Sequence, residues 1–104
     1  MKQPATDQEG YLVNLEDWTP EVAELLAEQA GIALTPDHWE VIDAMRAFYQ
    51  TFEQAPSMRP LVKWVGQRLG PDKGRSIYLM KLFPPSPAKL GCKIAGLPRP
   101  HHCI

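Results

Sequence analysis

The chain is short of cysteine, of β-prone sequence, of long apolar runs and of any excess of one charge, and each shortage excludes a class of protein. Two cysteines cannot make a disulfide-stapled miniprotein, and 104 residues can bury one core without staples or a structural metal. No run approaches the roughly 18 apolar residues of a membrane span, and the opening MKQPATDQEG lacks the apolar stretch of a signal peptide. A soluble, cytoplasmic protein is therefore expected. Eleven basic residues against 12 acidic ones leave a net charge of −1, so no global field recruits nucleic acid or an anionic membrane. Any such binding must be local. Tyr11-Leu12-Val13 is the one short β-prone run, which predicts little strand. Internal repeats, low-complexity stretches and interdomain linkers are also absent from the sequence.

What the chain does have is a series of helix signals. Thr19-Pro20 supplies an N-cap and a proline at the first helical position; Val22, Leu25, Leu26 and Ala30 form the apolar stripe, and Gly31 ends it. Thr35, Pro36 and Asp37 open a second helix, with Leu34 placed to close onto Trp39 as a hydrophobic staple. Its Trp39, Ile42, Met45, Tyr49 and Phe52 recur at three- and four-residue steps, which predicts the central helix of the core. Ala55-Pro56-Ser57 breaks it. Leu61, Val62, Val65 and Leu69 mark a third helix closed by Gly70-Pro71, and Asp72 to Phe83 a fourth, weakened by Gly74 in its first turn. After Pro84-Pro85, Ser86 as cap and Pro87 as first residue start a short fifth helix through Ala95, with Gly96 as its stop.

Both cysteines fall in the last stretch, Gly91-Cys92-Lys93-Ile94-Ala95-Gly96-Leu97-Pro98-Arg99-Pro100-His101-His102-Cys103-Ile104. In a reducing compartment two cysteines point to catalysis, redox exchange or metal binding before a structural staple. Four readings of the tail compete. Cys92, His101, His102 and Cys103 are an acceptable zinc set, but three adjacent ligands crowd a tetrahedron. A disulfide would close a loop of about twelve residues, worth about 3 kcal/mol, against the reducing poise of the cytoplasm. A disordered tail with an incidental thiol is disfavoured by Pro98 and Pro100, which stiffen it. The fourth reading is a reactive thiol on an arm, too near the chain end to be covered by core packing. Eleven extended residues reach up to roughly 36 Å, so Cys103 can visit a partner or fold back to Cys92. His101, His102, Arg99 and Lys93 favour the Cys103 thiolate and the terminal carboxylate opposes it, both screened at an exposed tail.

A different class of reading makes the second and third helices a helix-turn-helix around Gln54-Ala55-Pro56-Ser57, with Arg59, Lys63, Lys73, Arg75 and Lys81 on phosphates. Any all-helical domain contains such a pair, and direct nucleic-acid contact is not the main expectation.

The run CKIAGLPRPHHC, together with GYLVNLEDW, LTPDHWEVI, GPDKGRSIYL and LFPPSPAK, resembles the DsrC/TusE family of sulfur-carrier proteins over residues 8 to 104. The resemblance implies an α+β, mostly α fold: an array of about five helices with a small N-terminal β meander and a C-terminal arm. Lys2-Gln3-Pro4-Ala5 lines up with the middle of the family's first hairpin, so the first strand is missing and a reduced sheet is expected. The expected division is a helical domain over 1–96 and a flexible arm over 97–104. The implied chemistry is sulfane sulfur carried as a persulfide on the penultimate cysteine, here Cys103. The second cysteine, Cys92, marks the DsrC type, in which Cys92 resolves that sulfur or shares a trisulfide with Cys103 opposite dissimilatory sulfite reductase. The TusE type, serving tRNA 2-thiouridine synthesis, works with the penultimate cysteine alone. The implied partners are sulfur-donor and sulfur-acceptor proteins, with no membrane. No cofactor and no metal are expected, and the name enzyme is partly convention for a carrier that must be recharged. Leu90-Gly91 replaces the family's frequent Gln-Ala, which predicts a looser helix around Cys92.

Overall fold

The computed structural model of the protein describes residues 5–84 and 86–99. Five α-helices follow a short 3₁₀ turn at Leu15–Asp17: α1 (Pro20–Gln29), α2 (Pro36–Phe52), α3 (Met58–Leu69), α4 (Ser76–Leu82) and α5 (Pro87–Ile94). Helix starts follow the expected chemistry where a hydroxyl finds an amide. Thr19 Oγ1 accepts from Val22 N at 3.2 Å, and Thr35 accepts from His38 N. His38 completes a capping box, its Nδ1 accepting the Thr35 N–H at 3.1 Å. Its Nε2 lies 2.8 Å from the Leu82 carbonyl, which can only accept, so Nε2 carries the proton and Nδ1 accepts. One buried imidazole thus joins the start of α2 to the end of α4. Ser86 occupies the N-cap of α5 as expected, yet its side chain makes no capping hydrogen bond.

Helix α4 starts later than the expected Asp72. The physical reason is Gly74: a β-carbon there would overlap the backbone of Gly66 in α3, so the chain crosses α3 at backbone contact and only then can wind. Lys73 N and Gly74 N both donate to Gly70 O, closing the turn, and Lys73 Nζ reaches Glu40 Oε1 on α2 at 2.6 Å.

The N-terminal β meander is not formed among the described residues. Thr6 and Leu12 make one isolated antiparallel bridge. The Asp7 carboxylate accepts from Glu9 N at 2.9 Å and Tyr11 N at 3.0 Å, which tightens a turn through Gly10 at φ +92°. Tyr11 and Leu12 are then both buried, so in-and-out alternation fails, and the 3₁₀ turn diverts the chain into α1. Lys2, Gln3 and Pro4, which the resemblance aligns with the middle of the family's first hairpin, lie outside the described residues.

Helix α5, the shortest after α4, packs against all four others. Val41, Ile42, Met45, Leu61, Leu79 and Phe83 belong to the same core cluster as its Cys92 and Ile94 and are inaccessible to solvent. Phe52 departs from the expected α2 stripe: it is 51% exposed, at an edge where its ring lies 4.7 Å from Phe48 and 5.6 Å from Trp64.

Candidate functional site

The site is the end of α5, where Cys92 sits and from which the chain departs towards Cys103. Cys92 is fully buried, its Sγ 3.7 Å from the carbonyl oxygen of Pro56, a long thiol-to-carbonyl contact. Pro56 itself is buried, so the turn between α2 and α3 closes over the sulfur. In this conformation the Cys92 thiol is not presented to solvent, and attack on or by it requires that cover to part. The looser helix predicted from Gly91 is not observed. Met45 fills the space that an alanine would take: a β-carbon at 91 would lie 2.8 Å from Met45 Sδ and 2.9 Å from its Cε. The glycine and the methionine are complementary, and α5 runs unbroken through Cys92.

The helix stops in a Schellman arrangement. Leu97 N donates to Cys92 O at 2.9 Å and Gly96 N to Lys93 O at 3.2 Å, with Gly96 at φ +73°. Leu97, which the sequence assigns to the arm, is buried beside the residue whose carbonyl it caps. Two side chains take carbonyls that the helix end exposes: Trp18 Nε1 donates to Ile94 O at 2.8 Å, and Arg46 donates to Ala95 O at 2.6 Å. The Arg46 guanidinium lies 3.8 Å over the Trp18 ring, so indole and guanidinium are stacked as one clamp. Burial lowers the Arg46 pKa from its ordinary value and Asp43 opposes the shift, although Arg46 stays charged at any physiological pH. A β-carbon on Gly96 would drive into Trp18, so glycine is required there twice, by backbone and by packing.

The N-terminal turn finishes the collar. Tyr11 Oη donates to Lys89 O at 3.1 Å, Lys93 Nζ stands 5.5 Å from the Tyr11 ring centre, and Arg99 pairs with Glu9 at 2.8 Å. Arg99, the last described residue, is therefore tied to the N-terminal turn. Cys103, His101 and His102 lie outside the described residues, as does the geometry of any Cys92–Cys103 pair. Among the described residues no group of three or more His, Cys, Asp or Glu side chains could hold a metal ion, and no helix is long and apolar enough to cross a membrane. Sequence reasoning singled out Cys92 and Gly96 but not Trp18 or Arg46. The only signal for them was Trp18 at the end of the GYLVNLEDW block.

The family model described as DsrC like protein matches residues 1–104. The chain belongs to the DsrC family. A relative named sulfurtransferase TusE, from Yersinia pseudotuberculosis, is 54% identical over 99 residues, covering 95% of this chain and 92% of its own. The solution structure of DsrC from Allochromatium vinosum superposes with a TM-score of 0.89 at 50% identity, covering 99% of this chain and 92% of that one. The crystal structure of the oxidized γ-subunit of dissimilatory sulfite reductase, DsrC of Archaeoglobus fulgidus, gives a TM-score of 0.85 at 40% identity, with 99% and 94% covered. The five-helix arrangement is thus the DsrC fold.

Proposed function

We propose that this DsrC-family chain is a cytoplasmic sulfur carrier in which Cys103 accepts, holds and passes on sulfane sulfur. The sulfur-carrier role itself follows from the family and from a sulfurtransferase relative at 54% identity. The observation that supports the residue assignment is the clamped end of α5, where Trp18, Arg46 and Gly96 hold the residues from which the sequence runs on to Cys103. Rigid support at the root with a thiol several residues beyond it suits delivery between two partner sites.

The chemistry is thiol exchange. The Cys103 thiolate attacks the outer sulfur of a donor persulfide; the new S–S bond forms as the donor's breaks, and the donor thiolate leaves. An acceptor thiolate repeats the attack on the outer sulfur of Cys103, with no net oxidation. Cys92 acts as resolving thiol by attacking Cys103 Sγ of the persulfide, which yields a Cys92–Cys103 disulfide and releases hydrosulfide. With dissimilatory sulfite reductase as partner, sulfur that the reductase has brought from sulfite to the S(II) level instead takes two electrons from the two thiolates, its oxygens leaving as water, and remains bridged between them as a trisulfide.

The burial of Cys92 beneath Pro56 favours a second reading, in which Cys103 works alone, as in TusE-type transfer for tRNA 2-thiouridine synthesis. Mass spectrometry after incubation with a sulfane donor tests the principal claim: the mass of one sulfur atom is added to the wild type and not to Cys103→Ala. An unmodified Cys103 would sink it. The branch is read from Cys92→Ser, which abolishes the bridged species in the resolving reading and leaves transfer to an acceptor unchanged in the second.

A further inference from the structure

Charge in this chain is segregated along the sequence. Residues 5–53 contain eleven carboxylates and one base, Arg46, whereas residues 54–99 contain nine bases and one acid, Asp72. Folding uses some of those bases: Lys73 is paired with Glu40, Arg99 with Glu9, and Arg68 lies over the Trp64 ring. Arg59, Lys63, Arg75 and Lys81 are exposed on or beside α3 and α4 and make no ion pair among the described residues.

Between these cations the surface is aliphatic. Met58, Val62 and the stems of Arg59 and Lys63 line, with Ser76, an open depression of about 320 Å³. Beside it on α4, Ile77 is 72% exposed and Met80 42% exposed, three residues apart on one helix face, while Leu79 and Phe83 take the buried face. Leaving such side chains in water is unfavourable, and a partner that covers them recovers that cost.

We propose that this α3–α4 face is a docking surface for an acidic amphipathic protein segment, one that sets apolar side chains into the Met58–Val62 depression and carboxylates against Arg59, Lys63, Arg75 and Lys81. The inference rests on the carrier reading only for the partner's role as sulfur donor or acceptor. Nucleic acid fits this depression less well, because base stacking needs aromatic faces and none of its lining residues is aromatic. The rings of Phe48, Phe52 and Trp64 pack on one another beside a separate depression, with Arg68 over Trp64, so RNA binding there is an outcome that the test distinguishes. A second copy of the chain fits less well too. Among the described residues its acidic half exposes Val13 and Phe52 as its large hydrophobics, and these two share no helix.

The test titrates the ¹⁵N-labelled full chain with a synthetic helical peptide bearing Leu at helical spacing flanked by Glu, and with its Gln isostere. Saturable binding of the Glu peptide is expected, weakened by salt, with shift changes confined to residues 58–63 and 75–81. Affinity should fall by roughly tenfold or more in Arg59→Glu/Lys63→Glu and, separately, in Ile77→Ser/Met80→Ser. Equal affinity for the Gln peptide, or shift changes centred elsewhere, overturns the proposal. So does single-stranded RNA that outcompetes the peptide, or a sedimenting dimer that the charge reversal abolishes. Sulfur loading from a small-molecule donor, read by mass in the Arg59→Glu/Lys63→Glu protein, is expected to match wild type. Loading lost from wild type itself counts against Cys103, whereas peptide binding lost with loading intact counts against the surface.

Discussion

Gly96 is where backbone conformation and side-chain packing make the same demand. A β-carbon there meets both the left-handed φ penalty, about 1–2 kcal/mol, and the Trp18 ring, so Gly96→Ala is expected to destabilise by about 3 kcal/mol in urea unfolding. Under the proposed carrier role, the same variant should slow sulfur transfer to an acceptor protein more than loading from a small donor. Tyr78 presents the opposite case. Its hydroxyl is buried with no hydrogen-bond partner among the described residues, so Tyr78→Phe should leave stability unchanged or raise it by up to about 1 kcal/mol. Desolvation first, and Asp37 second, raise the Tyr78 pKa. A raised folded pKa means that the contribution is fully present below the unfolded value and is lost as pH rises through the folded one. Lys73, raised chiefly by its hydrogen bond to Glu40, has the same sign. Stability should therefore decline above about pH 10, and the decline should be shallower in Tyr78→Phe, as thermal melts across alkaline buffers would show.

Elements were legible in the sequence wherever a local signal sets them. Thr19-Pro20, Thr35-Pro36 and Pro87 mark helix starts because capping and proline geometry act within one turn, and α1, α2 and α5 begin where those residues stand. The start of α4 was not legible. It is set by Gly74 meeting Gly66, a contact between two elements that no window of sequence displays. The turn over Cys92 is also an element-scale feature. Glu53, at φ +56°, ends α2 in the left-handed region, and the chain then lays Pro56 across the thiol. Native-state alkylation of Cys92 in a Cys103→Ser background is therefore expected to be slower than in the unfolded chain by roughly a thousandfold, limited by opening of this cover. Labelling at the unfolded rate would show that Cys92 is open in solution.

Across the whole molecule, α5 is both the hub of packing and the platform of the site. Because it touches the other four helices, loosening it should loosen everything at once. Ile94→Ala, at a fully buried position, is expected to cost about 3 kcal/mol, with coincident transitions by tryptophan fluorescence and far-UV circular dichroism. Separate transitions would mean that the arm's platform unfolds independently of the body. The near-zero net charge conceals a division at this scale. An acidic first half and a basic second half cancel in the total, yet they supply the Lys73–Glu40 and Arg99–Glu9 ties and leave the exposed cations of α3 and α4.

The sequence by itself determined that the chain is helical and where most helices start and stop, and it supplied the two cysteines on which the proposed chemistry rests, because caps, prolines, apolar periodicity and residue identity are local properties. Only the tertiary structure decided that Cys92 is covered by Pro56, that Gly91 makes room for Met45, and that Trp18 and Arg46 grip the last carbonyls of α5. Those partners lie tens of residues apart along the chain. Their meeting depends on how whole helices pack, which no short stretch of sequence encodes.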